Sequence, residues 1–183
     1  FLVDLWIRQL EMDHIEADDL IGQYIIENPE EEIIIFSRDK DFYQLISEKV
    51  SVMSPDYKQL LTVENFKQIF GHGLENQLLF RCFEGDKSDM IGGVDGITRE
   101  TLIKLFPEIA NEKYTFKRLI EESYAAKEKR KNKNCKTFDK IINSNDILYR
   151  NAKLMNLKKP FVNDRAKEEI KDISKLALDD DRS

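Results

Sequence analysis

A chain of 183 residues, 41% hydrophobic and 35% charged, can bury one well-packed core or two small ones and reads as a soluble globular protein. No apolar run approaches membrane-spanning length, and Arg8, Glu11 and Asp13 interrupt the amino-terminal segment, so neither a membrane partner nor a secretory leader is expected. Cys82 and Cys135 with two scattered histidines give no disulfide framework and no zinc spacing, which points to a reducing, cytoplasmic setting.

The net charge of −6 by itself argues against a nucleic-acid partner, but its distribution reverses that. Residues 113–140 carry ten Lys or Arg against four acids, a local balance of +6 that leaves −12 for the rest of the chain. An acidic site beside a basic arm is what a metal-dependent nuclease requires; a solvated helix face is the plain alternative for the arm.

In chain order, Leu2, Leu5 and Trp6 mark residues 1–10 as the end of a helix. With no initiator Met and no strand before it, the sequence reads as amino-terminally truncated. Leu20, Ile21, Tyr24 and Ile25 give a helix over 16–27 that Asn28-Pro29 stops. The unbroken run Ile33–Phe36 predicts a strand buried on both faces, as in a parallel sheet. A short helix follows at Phe42–Ile46, then a strand near Val50–Met53 and a turn at Ser54-Pro55-Asp56. This is α/β alternation. From about residue 58 the pattern is helical: a helix capped by Thr62 and ended by Gly71, another over 74–83 stopped by Gly85, and a glycine-rich stretch. Helices are then expected at 99–106, 114–131 and 138–150, an irregular segment over 151–162, a last helix over 164–177 and a tail at 179–183.

Three acid groups stand out. Glu16 and Asp19 share one helical face with Asp18 beside them, although acids in a first turn are also favoured by the helix dipole. Asp39 and Asp41 follow the 33–36 strand, where open α/β sheets place ligands. This is no EF-hand loop, because the third acid, the central Gly and the closing Glu are missing. Asp86 and Asp89 sit in Gly85-Asp86-Lys87-Ser88-Asp89, a composition that turns also favour. Burying apolar strand beside so many acids is costly without a compensating cation, and a divalent metal is the obvious one. Gly93 and Gly96 then flank Val94-Asp95 just before a helix, where backbone amides can approach a phosphate or simply make a tight turn.

Taken together, E-A-D-D, a strand, S-x-D-K-D, G-D-x-S-D and G-G-V-x-G-I before a helix resemble the 5′-nuclease superfamily of flap endonucleases and 5′→3′ exonucleases, over residues 11–106. The size and basic helices lean towards a phage-type member, working in the host cytoplasm. The resemblance implies a partial PIN-like (Rossmann-like) parallel sheet over 1–57. A helical region over 58–183 would follow, with a helix–hairpin–helix element at about 86–106. It implies two Mg²⁺ or Mn²⁺ ions held by Glu16, Asp18, Asp19, Asp39, Asp41, Asp86 and Asp89, with Asp18, Asp19 and Asp39 catalytic. Duplex phosphates would meet Gly93, Val94, Gly96, Ile97, Thr98, Arg99 and Lys104, and a K⁺ ion can sit at the hairpin carbonyls. The implied reaction is two-metal-ion phosphodiester hydrolysis by a monomer on a 5′-flap, a nicked DNA duplex or an RNA–DNA hybrid.

Two departures qualify the resemblance. Thr98, Arg99, Glu100 and Thr101 replace the family's Gly and Lys-Thr-Ala-like run, with Arg99 or Lys104 as substitute cations. The family's first aspartates and its cationic arch would lie before Phe1. A PIN-type single-strand ribonuclease and an inactive duplex-binding fragment are the alternatives.

Overall fold

The structure is a computed structural model that describes residues 9–56, 58–129 and 135–175. The expected helical residues 1–8, 130–131 and 176–177, three Lys or Arg of the basic arm (130, 131 and 133) and the 179–183 tail lie outside the described residues; Gln9 and Leu10 are not helical.

Helix α1, Ala17–Glu27, begins directly after Glu16, whose backbone is extended. The Asn28 side chain donates to the Tyr24 carbonyl at 2.8 Å and closes its end. Leu20 packs with Ala166 and Ile170 of the last helix, α8 (Asp164–Lys175). Strand β1, Ile33–Phe36, pairs in parallel with β2, Val50–Ser54, from Ile33↔Val50 to Phe36↔Met53. The expected burial of β1 on both faces does not hold. Ile35 is buried, but Ile34 and Phe36 are 64% and 74% exposed. β1 is an edge strand covered on one face only among the described residues, and a parallel strand needs cover on both to lose its outer side chains to the core.

The sheet is also mixed rather than purely parallel. A third strand, β3 (Gln59–Leu61), runs antiparallel to β2 where helix was expected. Three residues are too short to show an alternation, and the turn that reverses the chain places Lys58 at φ +52. Helix α2, Val63–Phe70, follows as predicted, with the Thr62 amide donating to Asn65 Oδ1 at 2.9 Å and Gly71 in the left-handed region at its end. A 3₁₀ turn leads into α3, Gln77–Glu84. A two-residue pair, β4 (Gly85–Asp86) and β5 (Ile91–Gly92), makes a small hairpin not visible in the sequence. Helices α4 (Arg99–Leu105) and α5 (Phe116–Lys129) fall where expected.

The single helix expected over 138–150 is two, α6 (Lys136–Ile142) and α7 (Asn145–Met155). Between them the buried Ser144 hydroxyl donates back to the Ile141 carbonyl at 2.7 Å, a local bond of the kind that competes with helix continuation. α7 in turn runs into the segment expected to be irregular. The misleading residue is Asn151, polar in the sequence but fully buried and hydrogen-bonded across to α3.

Besides the Leu20–Ala166–Ile170 contact between α1 and α8, two larger apolar clusters hold these elements. One gathers Ile35, Phe42, Tyr43, Val52, Leu61 and Phe66 around the sheet; the other gathers Phe80, Phe83, Leu102, Ile109, Leu119 and Leu148 among the helices. A row of rings joins them: Tyr43 to Phe66 at 6.2 Å, Phe66 to His72 at 5.5 Å and His72 to Phe80 at 4.4 Å between centroids. His72 Nδ1 lies 2.9 Å from the Gly73 carbonyl, whereas the buried Nε2 has no partner. Burial therefore holds the imidazole pKa below its ordinary 6.5. The unfolded chain takes up a proton there that the folded chain resists, so this residue's share of stability is intact above pH 6.5 and is lost as pH falls below it. His72→Phe keeps the ring contacts and removes the proton. Denaturation midpoints in EDTA, taken from about pH 7.5 to about 5.5, are expected to fall more steeply for the wild type than for the variant, by up to about 1.4 kcal/mol per pH unit.

Candidate metal centre

The first acid group forms at the start of α1. Glu16, Asp18 and Asp19 each place a carboxylate oxygen within 4.8 Å of the others. Asp18 Oδ1 accepts from the Asp19 amide at 2.9 Å, and Asp19 Oδ1 accepts from the Phe161 amide at 3.0 Å, which ties the group to the segment leading into α8. The neighbouring Asp18 charge, then burial, then Asp19 and Asp89 raise the Glu16 pKa. Burial, reinforced by Asp19 and Asp89, raises that of Asp18. No Lys or Arg among the described residues forms an ion pair with these acids.

The second group lies at the carboxyl end of β1. The Ser37 hydroxyl accepts from the Asp39 amide at 3.0 Å, and Asp39 Oδ1 accepts from the Asp41 amide at 2.8 Å, capping the 3₁₀ turn Lys40–Leu45. Asp86, brought in by the β4–β5 hairpin, completes a triad with oxygens within 4.8 Å of one another. Burial pushes the Asp41 carboxyl up to about 6, against the pull of Arg81. Burial would also raise Asp86, but hydrogen bonds from Ser88 and Arg81 outweigh it and hold that carboxyl low.

Arg81 is the residue that reading the sequence misses. From α3 its Nε donates to Asp41 Oδ1 at 2.5 Å, its Nη2 donates to Asp86 Oδ2, and its Nη1 donates to the Gly85 carbonyl at 3.4 Å. The available signal is one arginine inside the apolar run Leu78–Phe83, five residues before Asp86.

Six of the seven expected acids fall in these two groups: Asp86 joins Asp39 and Asp41. Asp89, three residues on, belongs to neither triad, and its charge helps raise the pKa values of Glu16 and Asp18. A cleft of about 580 Å³ runs along Asp39, Arg81, Asp86 and Asp89, with Lys40 and Lys87 on its walls.

Beyond the hairpin, Val94 and Ile97 turn their side chains into the helical core, so this stretch offers backbone rather than side chains to a ligand. It is clasped from outside. Lys140 Nζ donates to the Asp95 carbonyl at 2.9 Å and carboxylate at 2.7 Å. Arg150 Nη2 donates to the Gly92 carbonyl at 3.1 Å, and Asn151 Nδ2 donates to the carbonyls of Gly92 and Cys82 at 3.0 and 2.9 Å. Lys140, Arg150 and Asn151 were not expected here. Thr98 caps α4 through the Thr101 amide at 3.3 Å. Arg99 lies over the Phe70 ring and pairs with Glu84 at 3.6 Å, whereas Lys104 is exposed. Much of the basic arm is paired internally: Lys117 with Glu121, Arg118 with Glu112 and Glu122, Lys127 with Asp139.

Acids at the end of a parallel strand, joined by a hairpin from a helical region, define an acid-cluster α/β nuclease fold. The chain is similar to proteins of the 5′-nuclease superfamily. Residues 1–71 match the 5′-3′ exonuclease N-terminal resolvase-like domain. The thermostable DNA polymerase I of Thermus filiformis is 41% identical over 110 residues, 58% of this chain and 13% of that protein. The 5′-3′ exonuclease of Buchnera aphidicola subsp. Schizaphis graminum is 33% identical over 112 residues, 60% of this chain and 39% of that protein. The chain thus spans well under half the length of these curated relatives. In fold it is similar to bacteriophage T5 5′-exonuclease with bound zinc ions (TM-score 0.73, 19% identity, 94% of this chain and 65% of that one). It is equally similar to the T5 flap endonuclease in a pseudo-enzyme-product complex with DNA and metal ions (TM-score 0.74, 18% identity, 96% and 65%).

The hairpin's seat on α3 is close enough to test. A Cβ at Gly93 would stand 2.2 Å from the Phe83 carbonyl oxygen and 2.5 Å from that of Glu84, both backbone atoms that cannot swing aside. Gly93→Ala is expected to lower stability by more than about 1 kcal/mol, read from the urea midpoint, because backbone must shift to admit it.

Proposed function

We propose that this chain is the core of a divalent-metal-dependent 5′-nuclease that hydrolyses phosphodiester bonds of DNA at a 5′-flap or nicked duplex. One observation carries the reading: Asp39 from the end of β1 and Asp86 and Asp89 from the β4–β5 hairpin line a single cleft, and the Asp89 charge also acts on the Glu16–Asp18–Asp19 group of α1. The donor set fits hard cations. Every candidate ligand is a carboxylate oxygen, with no thiol or imidazole among the two groups, which favours Mg²⁺ or Mn²⁺ over softer metals. A guanidinium already lies inside the second group, evidence that this position accepts positive charge.

Asp18, Asp19 and Glu16, with Asp89, would hold one ion, and Asp39, Asp41 and Asp86 the other. Bound ions of this kind supply Lewis-acid stabilisation and a nucleophilic water at neutral pH. The chain's own part is to fix these ligands. The Phe161 amide orients Asp19, the Asp41 amide orients Asp39, and Ser88 and Arg81 orient Asp86. Downstream, Lys140, Arg150 and Asn151 hold the carbonyls of Gly92 and Asp95, and the amides of Val94 and Ile97 are bonded within the chain, which leaves those of Asp95, Gly96 and Thr98 for duplex phosphates, with Lys104 and the lysines of the cleft as cations. Phosphate contacts carry no base information, so an RNA–DNA hybrid would fit the same surface. A K⁺ ion at the hairpin carbonyls would share those of Gly92 and Asp95 with Arg150 and Lys140.

The test is cleavage of a labelled 5′-flap duplex with Mg²⁺ and with EDTA. Asp39→Asn and Asp86→Asn preserve shape and one acceptor oxygen while removing charge. Each is expected to reduce the rate roughly 10²-fold or more, the scale for losing one electrostatic contact to a transition state. Wild-type rates in both variants would remove the metal-centre reading, and preference for single-stranded RNA over the flap would replace the substrate.

A further inference from the structure

Arg81 carries more positive charge into the centre than a structural tether needs. Its guanidinium is 7% exposed and touches two of the three carboxylates in its group. A neutral donor could serve the Gly85 carbonyl. Burying a charge is worthwhile only against charge, and here three carboxylates with oxygens within 4.8 Å of one another provide it. The Glu16–Asp18–Asp19 group has no equivalent residue among the described ones. The bonds are also selective in what they cover. Arg81 takes one oxygen of Asp41 and one of Asp86, and Ser88 takes the other oxygen of Asp86. The Asp41 amide takes one oxygen of Asp39. The second oxygens of Asp39 and Asp41 have no protein donor among the described residues, so the group keeps an open side while Arg81 holds its closed side.

Resting on the metal-centre reading above, we propose that Arg81 is a positioning residue with two opposed effects. It stands in for an ion by holding Asp41 and Asp86 together before one arrives, and it opposes the ion's charge once one is bound. Apo folding and ion affinity at the Asp39–Asp41–Asp86 position are therefore traded against each other through one side chain. A guanidinium is suited to this because it stays protonated and bridges two carboxylates in a fixed plane. Lysine would supply the charge without the fork.

The experiment measures Mn²⁺ binding by calorimetry and free-ion EPR, and thermal melting in EDTA and in Mn²⁺, for the wild type, Arg81→Gln and Arg81→Lys. Arg81→Gln is expected to melt lower in EDTA, to be stabilised by Mn²⁺ more than the wild type, and to bind an ion more tightly by about 10-fold or more, the scale for removing one repelling unit charge a few ångströms away. Adding Asp39→Asn to Arg81→Gln is expected to abolish that gain, which assigns it to this group. Arg81→Lys is expected to melt lower in EDTA yet bind Mn²⁺ as the wild type does. Should Arg81→Gln fail to fold in EDTA, refolding on Mn²⁺ addition is the expected result, and no rescue at saturating Mn²⁺ overturns the proposal. Unchanged affinity with an unchanged Mn²⁺-dependent melting shift overturns it too and leaves the metal centre standing. A wild type that binds no Mn²⁺ removes both.

Discussion

Three carboxylates cannot sit with their oxygens within 4.8 Å in a largely buried corner unless positive charge sits among them. Arg81 meets that constraint, and the rest of the architecture follows from where it must stand. It is carried by α3, the helix that packs against α7 and starts the helical core, yet its partners come from the end of β1 and from the β4–β5 hairpin. One side chain thus couples sheet, hairpin and helical core at the point where the second acid group meets the cleft. The ring row from Tyr43 through His72 to Phe80 makes the same connection on the apolar side.

A second dependence runs through backbone carbonyls. The turn after the hairpin has carbonyls of Gly92 and Asp95 held by Lys140, Arg150 and Asn151, and its two apolar side chains, Val94 and Ile97, are committed to the core. Its shape is therefore fixed from both sides, and on the proposed reading a turn of this kind would meet phosphate by geometry and not by sequence. The charge balance fits this. Arg118, Lys127 and Lys140 of the basic arm work within the protein, so a positive stretch in a sequence overstates the field available to a ligand.

The sequence made some levels legible and hid others for physical reasons. Long periodic elements such as α1, α2 and α5 could be read because burial repeats along them. The order of the acids identified the family, since spacing between a helix start, a strand end and a turn survives without coordinates. Strands of two or three residues left no period to detect, which concealed β3 and the hairpin. Asn151 concealed the second half of α7 because a buried, fully bonded amide is spelled like a solvent-facing one. Arg81 was hidden by the same ambiguity. Which acid of the hairpin joins Asp39 and Asp41 depends on the hairpin's turn, and that Asp86 does so lay beyond any linear spacing.

Strand β1 has a consequence for handling the protein. Its Ile33–Phe36 run leaves Ile34 and Phe36 in solvent, and among the described residues one edge of the strand is unpaired. An apolar, uncharged, proline-free edge of this kind is a template on which another strand can add. The chain's safeguards are the charges just outside it, Glu30–Glu32 before and Arg38 and Asp39 after, which act as gatekeepers against stacking. Asp39 and its neighbour Arg38 therefore serve colloidal behaviour as well as the site. Conditions that screen them, high salt above all, favour self-association through this edge.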